Sequence, residues 1–519
     1  MWGRLLVFVV VGVLVWLIGP WAALAALVFV HPRLRPVRKG RALGVGVLVL
    51  VLAVGLLAGA FLMPQSGRLP IPPGMGQLSS PAYLGRPAKA QPISVDGLPQ
   101  HPFMAANGGN SMHNDASATD AYDGLGPLGN SPQVDSAWYG IKECATLMFN
   151  SDNDLIGLCG DRTGPVLNVI DPETMKLTRT RRLPPRPKTG GSPLENICGG
   201  AYSYLDNRDR VVVATSDRSI KMYSSTLEPL KSWPVTDAVP AGDCLIALMP
   251  DWEGNIWFAS KGGRVGHVAP RSGKVAGRDL GERIVNSLAA DRNGVYVVSE
   301  RALYKFAKGA DGVQRLWRSR YDRGTEHKPG QLSQGSGTTP TLIDGGLVAI
   351  TDNADPRMNV LMIDAATGER RCSVPVFKDD ISATENSLIS LGDAVVVENN
   401  YGYHGPQSTM LGRSTPGGVA RVSHDCKLEW TAEVAGPTSV AKASLAAGLV
   451  YVYEKRANRW GVNAWYLTGI DARTGRAKFH VRTGIGTLFN NHYAAITLAP
   501  DGSAYVATLA GLVRVRDRA

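Results

Sequence analysis

The chain has 519 residues, more than one ordinary hydrophobic core accommodates, so it contains several domains or one large domain built from repeats. Its 59 Gly and 33 Pro, with 44% hydrophobic and 19% charged residues, exclude collagen and a disordered chain and favour turns over long helices. The formal charge is +11, but residues 1–64 hold six Lys or Arg and no Asp or Glu. The other 455 residues carry 49 basic and 44 acidic groups, or +5, which excludes a nucleic-acid-binding surface.

Two uncharged apolar runs open the chain, from Leu5 to Val30 and from Ala42 to Met63. Each exceeds the roughly 20 residues that an α-helix needs to cross a bilayer, so we predict two transmembrane α-helices in residues 1–64. Five cationic side chains in the connector place it in the cytoplasm by the positive-inside rule. This predicts a multi-pass protein of the cell membrane with its large C-terminal domain on the exoplasmic side. The alternative is a signal peptide cleaved near Ala22 to Ala26, which would move the basic connector outward.

Residues 65–142 are rich in Pro, Gly, Ser, Asn and Asp and show no sustained periodicity, so we predict a linker and strap. The stretch from Pro64 to Gly74 is expected to be a semi-rigid spacer. Around His101 and from Met112 to Asp120, apolar anchors alternate with polar groups. This composition favours a strap lying on the following domain.

Residues 143–519 repeat a pattern of alternating apolar strands and Asp, Asn or Gly turns at a spacing of roughly 40 to 55 residues. The clearest copies are Thr339 to Thr351 with Val360 to Glu369, and Leu445 to Tyr453 with Leu467 to Arg476. We predict an all-β fold, a β-propeller of about eight four-stranded blades, with seven as the alternative. The last copy has only three strands, so a segment such as Ser136 to Lys142 must supply the fourth.

The paired sequences Leu-Ile-Asp-Gly-Gly-Leu-Val-Ala-Ile and Ile-Asp-Ala-Ala-Thr-Gly-Glu resemble the repeat of PQQ-like, quinoprotein-type propellers. That repeat occurs in quinoprotein dehydrogenases and in non-catalytic scaffolds of the bacterial envelope, so the resemblance implies the fold more than a function. The dehydrogenases carry a disulfide between adjacent cysteines over the cofactor. This chain has no adjacent cysteines, which argues against bound PQQ.

All six cysteines lie after the apolar runs, and an even number in an exported domain predicts disulfides. Cys144 and Cys159 face each other across the first hairpin, so we predict that they pair. Cys198 and Cys244 occupy matching positions at the starts of consecutive inner strands and form the second predicted pair. Cys372 and Cys426 remain by elimination, but both fall near outer strands that are expected to diverge, so the sequence leaves open whether they pair or stay free.

No hydrolase elbow, zincin, phosphate-loop or dinucleotide-binding motif occurs, which argues against an enzyme without deciding the question. The starts of several inner strands are polar, however, and should converge at the mouth of the central channel. The channel candidates for binding a ligand are Glu195, Asn196, Glu385, Asn386, Asn491 and His492. Glu195 and Glu385 could hold a divalent metal such as Ca²⁺. The alternative is that these side chains line a hydrated pore.

A second polar cluster begins on a strand and continues into a loop, where binding residues often lie. Its members are Glu398, Asn399, Asn400, Tyr401 and His404. A plain turn explains the same residues equally well. The sequence thus predicts a membrane-anchored binding or scaffolding module of the cell envelope, whose partners are the lipid bilayer and an envelope protein or polar small ligand. The alternative function is an envelope oxidoreductase or hydrolase that uses a divalent cation in the channel.

Overall fold

The computed structural model describes residues 11–21, 63–186, 196–199, 201–310 and 312–518. Most of both apolar runs and the candidate Glu195 lie outside these residues. Within them, the chain forms eight sheets of at least four strands, and the strands of every blade are antiparallel. The first strands of neighbouring blades contact each other around a central channel. The chain is therefore an eight-bladed β-propeller, and eight rather than seven is the correct number.

The blades follow one another in chain order, and the strands of each are given from the channel outward. Blades 1 to 4 comprise β4 (Glu143–Phe149), β5 (Leu155–Asp161), β6 (Gly164–Ile170) and β7 (Leu177–Arg182); β8 (Ser203–Leu205), β9 (Val211–Thr215), β10 (Ser219–Tyr223) and β11 (Pro229–Pro234); β12 (Leu245–Pro250), β13 (Ile256–Ser260), β14 (Arg264–Val268) and β15 (Val275–Asp279); and β16 (Leu288–Asp291), β17 (Gly294–Val298), β18 (Ala302–Gly309) and β19 (Gly312–Arg320).

Blades 5 to 8 comprise β20 (Thr341–Ile343), β21 (Leu347–Thr351), β22 (Asn359–Asp364) and β23 (Arg370–Pro375); β24 (Ile389–Ser390), β25 (Ala394–Glu398), β26 (Val419–Ser423) and β27 (Leu428–Ala432); β28 (Lys442–Ser444), β29 (Leu449–Lys455), β30 (Ala464–Asp471) and β31 (Ala477–Ile485); and β32 (Ile496–Leu498), β33 (Ala504–Thr508), β34 (Gly511–Arg516) and β3 (Gln133–Trp138). Two further strands extend blade 7, β1 (Tyr83–Gly85) at its outer edge and β2 (Ala121–Tyr122) on the channel side. Short 3-10 helices cover Pro406–Thr409 and Thr487–Phe489.

The strands follow from local sequence chemistry. Inner and middle strands are runs of β-branched residues that are buried on both faces, such as Val211–Thr215, because each blade is covered by its two neighbours. Outer strands are polar and exposed, as in Leu177–Arg182. The turn between β20 and β21 needs positive φ at two consecutive positions, and Gly345 and Gly346 supply φ values of 78 and 71.

The ring closes through a strand from before the first blade. Gln133–Trp138 pairs antiparallel with Gly511–Arg516, so the last blade obtains its fourth strand from a segment nearly 380 residues earlier in the chain. The prediction of this closure is confirmed, although the strand begins three residues before Ser136. The pairing protects the edge of β34, which would otherwise expose unpaired backbone groups.

All six cysteines form disulfides. Cys144 pairs with Cys159 and Cys198 with Cys244, as predicted. The sequence left the pairing of Cys372 and Cys426 open, and the structure joins them with a Cα–Cα distance of 6.1 Å. Cys426 does not lie on an outer strand but in the turn between β26 and β27, and this turn reaches back to β23 of blade 5.

The first strand of every blade begins at one face of the ring and ends at the other. The face at which the first strands begin is called the loop face. The face at which they end is called the strap face, because residues 86–130 (the strap) cross it. The strap follows the turns between first and second strands: the N–H of Gln91 donates to Ala447 O (3.1 Å), that of Asp96 to Asp344 Oδ2 (3.4 Å), and Asn207 Nδ2 donates to Pro102 O (2.7 Å). The strap therefore contacts blades around most of this face.

Residues 109–122 of the strap enter the channel, and we call them the plug. Six blades bind it through their first strands, whose backbone N–H groups donate to plug carbonyl oxygens over 2.7–3.1 Å. The donors are Phe149, Leu205, Ala290, Leu342, Ser390 and Ala443, and the acceptors, in the same order, are Gly109, Asn110, Ala116, Ser117, Thr119 and Asp120. The plug thus accepts backbone hydrogen bonds from the inner edges of six of the eight blades.

Near the N-terminus, a short α-helix covers residues 11–18. It ends at Gly19, whose φ of 128 is followed by Pro20, and neither residue continues a helix. None of the helices in the described part of the chain has the length and apolarity needed to cross a bilayer. Residues 19–21, inside the first predicted span, are not α-helical. Most of the rest of that span and nearly all of the second lie outside the described residues, so both spans stay predictions.

Candidate functional site

The loop face carries a polar mouth built from the connections that precede the first strands. Glu385 lies in the connection before β24, and both of its carboxylate oxygens are buried without a hydrogen-bond partner. Burial raises its pKa to about 8, although the nearby backbone N–H of Leu332 acts in the opposite direction. A Cβ on Gly337 would overlap the backbone oxygen of Thr384 and come within 2.8 Å of Glu385 Oε1, so the segment that carries Glu385 packs against a position where only glycine fits.

Glu143, at the start of β4, is a second carboxyl group of the mouth, and the sequence analysis did not identify it. Burial raises its pKa well above the ordinary value, and its Oε1 has no hydrogen-bond partner. The signal was present in the sequence, because an acidic residue directly precedes Cys144 at the start of an apolar inner strand.

Two tyrosines connect these carboxyl groups. Glu143 raises the pKa of Tyr403, and Glu385 raises that of Tyr493, in each case after the larger effect of burial. The two rings meet edge to face, with centroids 5.6 Å apart. Tyr403 donates its hydroxyl to Asn490 Oδ1 at 3.2 Å, and its oxygen is 3.0 Å from His492 Nδ1. The mouth is therefore an aromatic and carboxylic-acid surface rather than a ring of amides.

The amide candidates are occupied by structural hydrogen bonds. Asn491 is fully buried, accepts from Thr438 Oγ1 at 2.7 Å and donates to Ala494 O at 2.7 Å. Asn386 donates to Glu398 Oε2 at 2.9 Å and also to Ser439 O. These contacts join neighbouring connections of the loop face and leave the amide nitrogens unavailable to a ligand.

Asn196 and His492 have different surroundings. Asn196 is buried beside the Cys198–Cys244 disulfide and accepts the backbone N–H of Cys198 at 3.2 Å. His492 is half-buried at the mouth, with a φ of 31 and its ring against Tyr403. Among the channel candidates in the described residues, Glu385 and His492 thus reach the same mouth, whereas Asn196, Asn386 and Asn491 support its walls.

Two asparagines of the second candidate cluster hold in place the segment that carries Glu385. Asn400 accepts both the backbone N–H of Glu385 at 3.0 Å and the hydroxyl of Thr384 at 3.1 Å, so it fixes the segment that carries the carboxyl group. Asn399 makes four hydrogen bonds, accepting from Ala383 and Tyr401 and donating to the carbonyls of Ile381 and Gly417. Both asparagines are positioning residues.

Glu398 contrasts with Glu385 in its hydrogen bonding. Burial raises its pKa to about 8 as well, but it accepts from Asn386 Nδ2, from Ser439 Oγ at 3.2 Å and from the N–H of Ala441 at 3.4 Å. The remaining members of the cluster reach solvent: Tyr401 is half-buried and His404 is exposed. Only these two could contact a partner directly.

The described residues contain no group of three His, Cys, Asp or Glu side chains arranged to hold a metal ion. Of the two metal candidates, Glu195 lies outside those residues, so the prediction that Glu195 and Glu385 hold a metal ion stays a prediction. In the described part of the chain, the mouth contains two protonatable carboxyl groups, tyrosine hydroxyls and an imidazole. A positive charge next to Glu385 would favour its ionised form, but both of its oxygens are buried, so a ligand could reach them only after a local rearrangement.

Comparisons with known proteins give a distant relative and a common fold. No protein-family model matches the chain. An uncharacterized protein of Archaeoglobus fulgidus is 29% identical over 363 residues, which are 61% of this chain and 70% of the relative.

Similar solved structures include a streptogramin B lyase (14% identity, TM-score 0.37, 59% of this chain and 89% of the other) and BamB from Moraxella catarrhalis (12%, 0.35, 59% and 93%). The computationally designed protein Ika8 is similar over 76% of this chain and its own full length, with 13% identity and a TM-score of 0.39. At these values the comparisons add nothing to the propeller fold that the strand order establishes.

Proposed function

We propose that this protein is a membrane-anchored propeller on the exoplasmic side of the cell envelope, and that it works as a binding or scaffolding module through its loop face. One observation carries the proposal: the strap covers the strap face and its plug fills the channel from that side. A partner that engages the strap face would meet the chain's own strap. The loop face, by contrast, carries the two long connections 321–340 and 399–418.

The location rests on the sequence. Two uncharged runs flank a connector with five cationic side chains, and three disulfides suit an oxidising compartment. The resemblance to PQQ-like repeats, which also build envelope scaffolds, is consistent with this role. The alternative, an envelope oxidoreductase or hydrolase that uses a divalent cation in the channel, stays a second hypothesis.

A photo-crosslinking amino acid at His404 would test the role of the loop face in cells. His404 is exposed on the loop face, and Leu98, 38% exposed on the strap, is the matched control position. We expect discrete crosslinked products from the His404 position and none from the Leu98 position. The same products from both positions, or products only from Leu98, would contradict the assignment of the loop face.

A cysteine at Gly40 would test the topology. Because all six native cysteines are paired, the Gly40→Cys variant has a single thiol in the connector. We expect this thiol to resist an impermeant maleimide in intact cells and to react after permeabilisation. Reaction in intact cells would place the connector outside and disprove the hairpin.

A further inference from the structure

A row of cationic side chains crosses the loop face where blades 3 and 4 meet. Its members come from different connections: Lys261 from the turn between β13 and β14, Arg283 from the connection before β16, Arg301 from the turn between β17 and β18, and Arg320 from the end of β19. Arg283, Arg301 and Arg320 are exposed, and Lys261 is half-buried. We call these four residues the cationic row.

Backbone contacts make the members of the cationic row neighbours. The N–H of the residue that follows Arg283 donates to Lys261 O at 3.4 Å, and the N–H of the residue that precedes Arg301 donates to Arg283 O at 2.9 Å. Arg320 is next in the row, because it pairs in the sheet of blade 4 with the residue that follows Arg301. Four segments that are separate in the sequence thus bring their positive charges to one continuous surface.

The carboxylates around the cationic row are engaged with other groups. They are Asp243, which accepts from the N–H of Gly262 at 2.7 Å; Asp279, 2.9 Å from Arg264; Glu282, 2.6 Å from Arg318; Glu300, 3.7 Å from Arg301 and 3.8 Å from Arg323; and Asp322, which accepts from the N–H of Gly324 at 2.9 Å. Within the described part of the chain, Lys261, Arg283 and Arg320 form no ion pair. Elsewhere on the loop face, by contrast, the exposed Arg357 lies 2.6 Å from Asp379.

We infer that the cationic row binds an extended segment, rich in Asp and Glu, of an envelope protein. Like charges at neighbouring backbone positions repel one another, and an anionic partner turns this repulsion into attraction. Exposed side chains from successive turns suit an extended segment, in which every second side chain points the same way about 7 Å further along. The row also adjoins the long connection 321–340, which begins directly after Arg320. This inference deepens the proposed function and rests on the loop face as the binding surface.

A photo-crosslinking amino acid at Arg301 of the full chain would test the inference in cells. The Arg301 side chain is 52% exposed and already contacts Glu300, so replacing it removes the least free charge from the row. The test variant neutralises the other members with Lys261→Gln, Arg283→Gln and Arg320→Gln. We expect the yield of discrete protein products to fall several-fold in this variant. In the parent, the crosslinked partner residues, mapped by mass spectrometry, should lie in a segment rich in Asp and Glu.

The control variant removes the same charge from the opposite face of the same two blades. It carries Arg271→Gln, Lys274→Gln and Arg292→Gln, which lie on exposed turns of blades 3 and 4 at the strap face. With the same crosslinker at Arg301, we expect its product yield to equal that of the parent. Equal losses in the control and test variants, or no loss in either, would overturn the inference, since the position of the charges would then not matter.

The identity of the products separates the remaining outcomes. Products that map to a partner segment without acidic residues would overturn the inference, and so would products whose mass is that of a phospholipid adduct. Products from the His404 position but none from Arg301 would disprove the role of the cationic row and leave the proposed function intact. Discrete products from neither position would contradict the proposed function of the loop face itself.

A fluorescein-labelled polyglutamate peptide would measure the same contact with purified protein. The full chain would be held in phosphatidylcholine nanodiscs, and binding would be followed by fluorescence anisotropy. We expect a Kd several-fold higher for the test variant than for the control variant, and a difference that shrinks as salt is added, because salt screens exposed charges. Equal Kd values at low salt would show that the row does not attract acidic segments.

Discussion

The plug and the mouth of the channel bury ionisable groups in opposite ways. In the plug, the carboxylate of Asp120, which is fully buried, binds Lys442 Nζ and the hydroxyl of Ser387, and lies 3.1 Å from His113 Nδ1. In the mouth, Glu385 is buried without a hydrogen bond to either oxygen. A buried charge with partners fixes a chain in place, whereas a buried acid without them is costly in its ionised form. The plug is therefore held in place by buried pairs, whereas the acid of the mouth has no such partners.

Removing Asp120 should have the largest effect. In Asp120→Ala, Lys442 loses its carboxylate while it remains buried, and losing one partner of such a pair typically costs about 3–5 kcal/mol. We expect a lower free energy of unfolding by urea and faster hydrogen exchange at the amides of Ser390 and Ala443, which bind plug carbonyls.

The exposed ion pair between Lys378 and Glu433 is the control for Asp120. Its side chains are 75% and 86% exposed, so Glu433→Ala should change stability by less than about 1 kcal/mol. If Asp120→Ala were as mild as Glu433→Ala, the plug would not depend on its buried pair.

The disulfides allow a second comparison between the two faces. Cys372–Cys426 lies toward the strap face and closes a loop with a sequence separation of 54, whereas Cys144–Cys159 lies at the loop face with a separation of 15. Chain entropy then predicts losses of about 4 and about 3 kcal/mol for the paired Cys-to-Ala variants. Urea unfolding would measure both losses, and the reverse order would show that local structure outweighs loop entropy.

The mouth predicts a dependence of stability on pH. Because the pKa of Glu385 is raised to about 8, the unfolded chain releases this proton at lower pH than the folded chain does. The parent and the Glu385→Gln variant should therefore have equal free energies of unfolding near pH 4. As pH rises, the value for the parent should fall below that of the variant, and the difference should level off above about pH 8. We expect the variant to be more stable than the parent by about 1 to 2 kcal/mol at pH 8, since relaxation toward water reduces the full effect.

Glu398→Gln is the matched control, because burial raises the pKa of Glu398 to about 8 too. There the new amide would face the donors Asn386, Ser439 and Ala441, so we expect a loss of about 1–3 kcal/mol even at pH 4. Equal behaviour of the two variants would show that hydrogen bonding does not distinguish the two acids.

The candidate site could be predicted from the sequence only in part. Polar residues before the inner strands indicated that the mouth is polar, and Glu385 and His492 do lie there. The sequence could not show that the side-chain amide of Asn386 bonds to Ser439, or that the side-chain amide of Asn491 bonds to Thr438 and Ala494. These hydrogen bonds form only when the connections fold against one another. The position of Glu143 at the start of an inner strand is visible in the sequence, but its proximity to Tyr403, which is far away in the chain, is not.

The propeller repeat, the strand that closes the ring and two of the three disulfides could be predicted from the sequence alone. These features depend on period-two patterns, turn residues and positions within one hairpin or between matching strands, and all of them can be read locally. Three other features became visible only in the folded chain: residues 109–122 enter the channel, Cys426 reaches Cys372, and Glu385 lacks the hydrogen bonds that Glu398 receives. Each of these depends on segments that meet only when the ring closes, and no local pattern encodes such meetings.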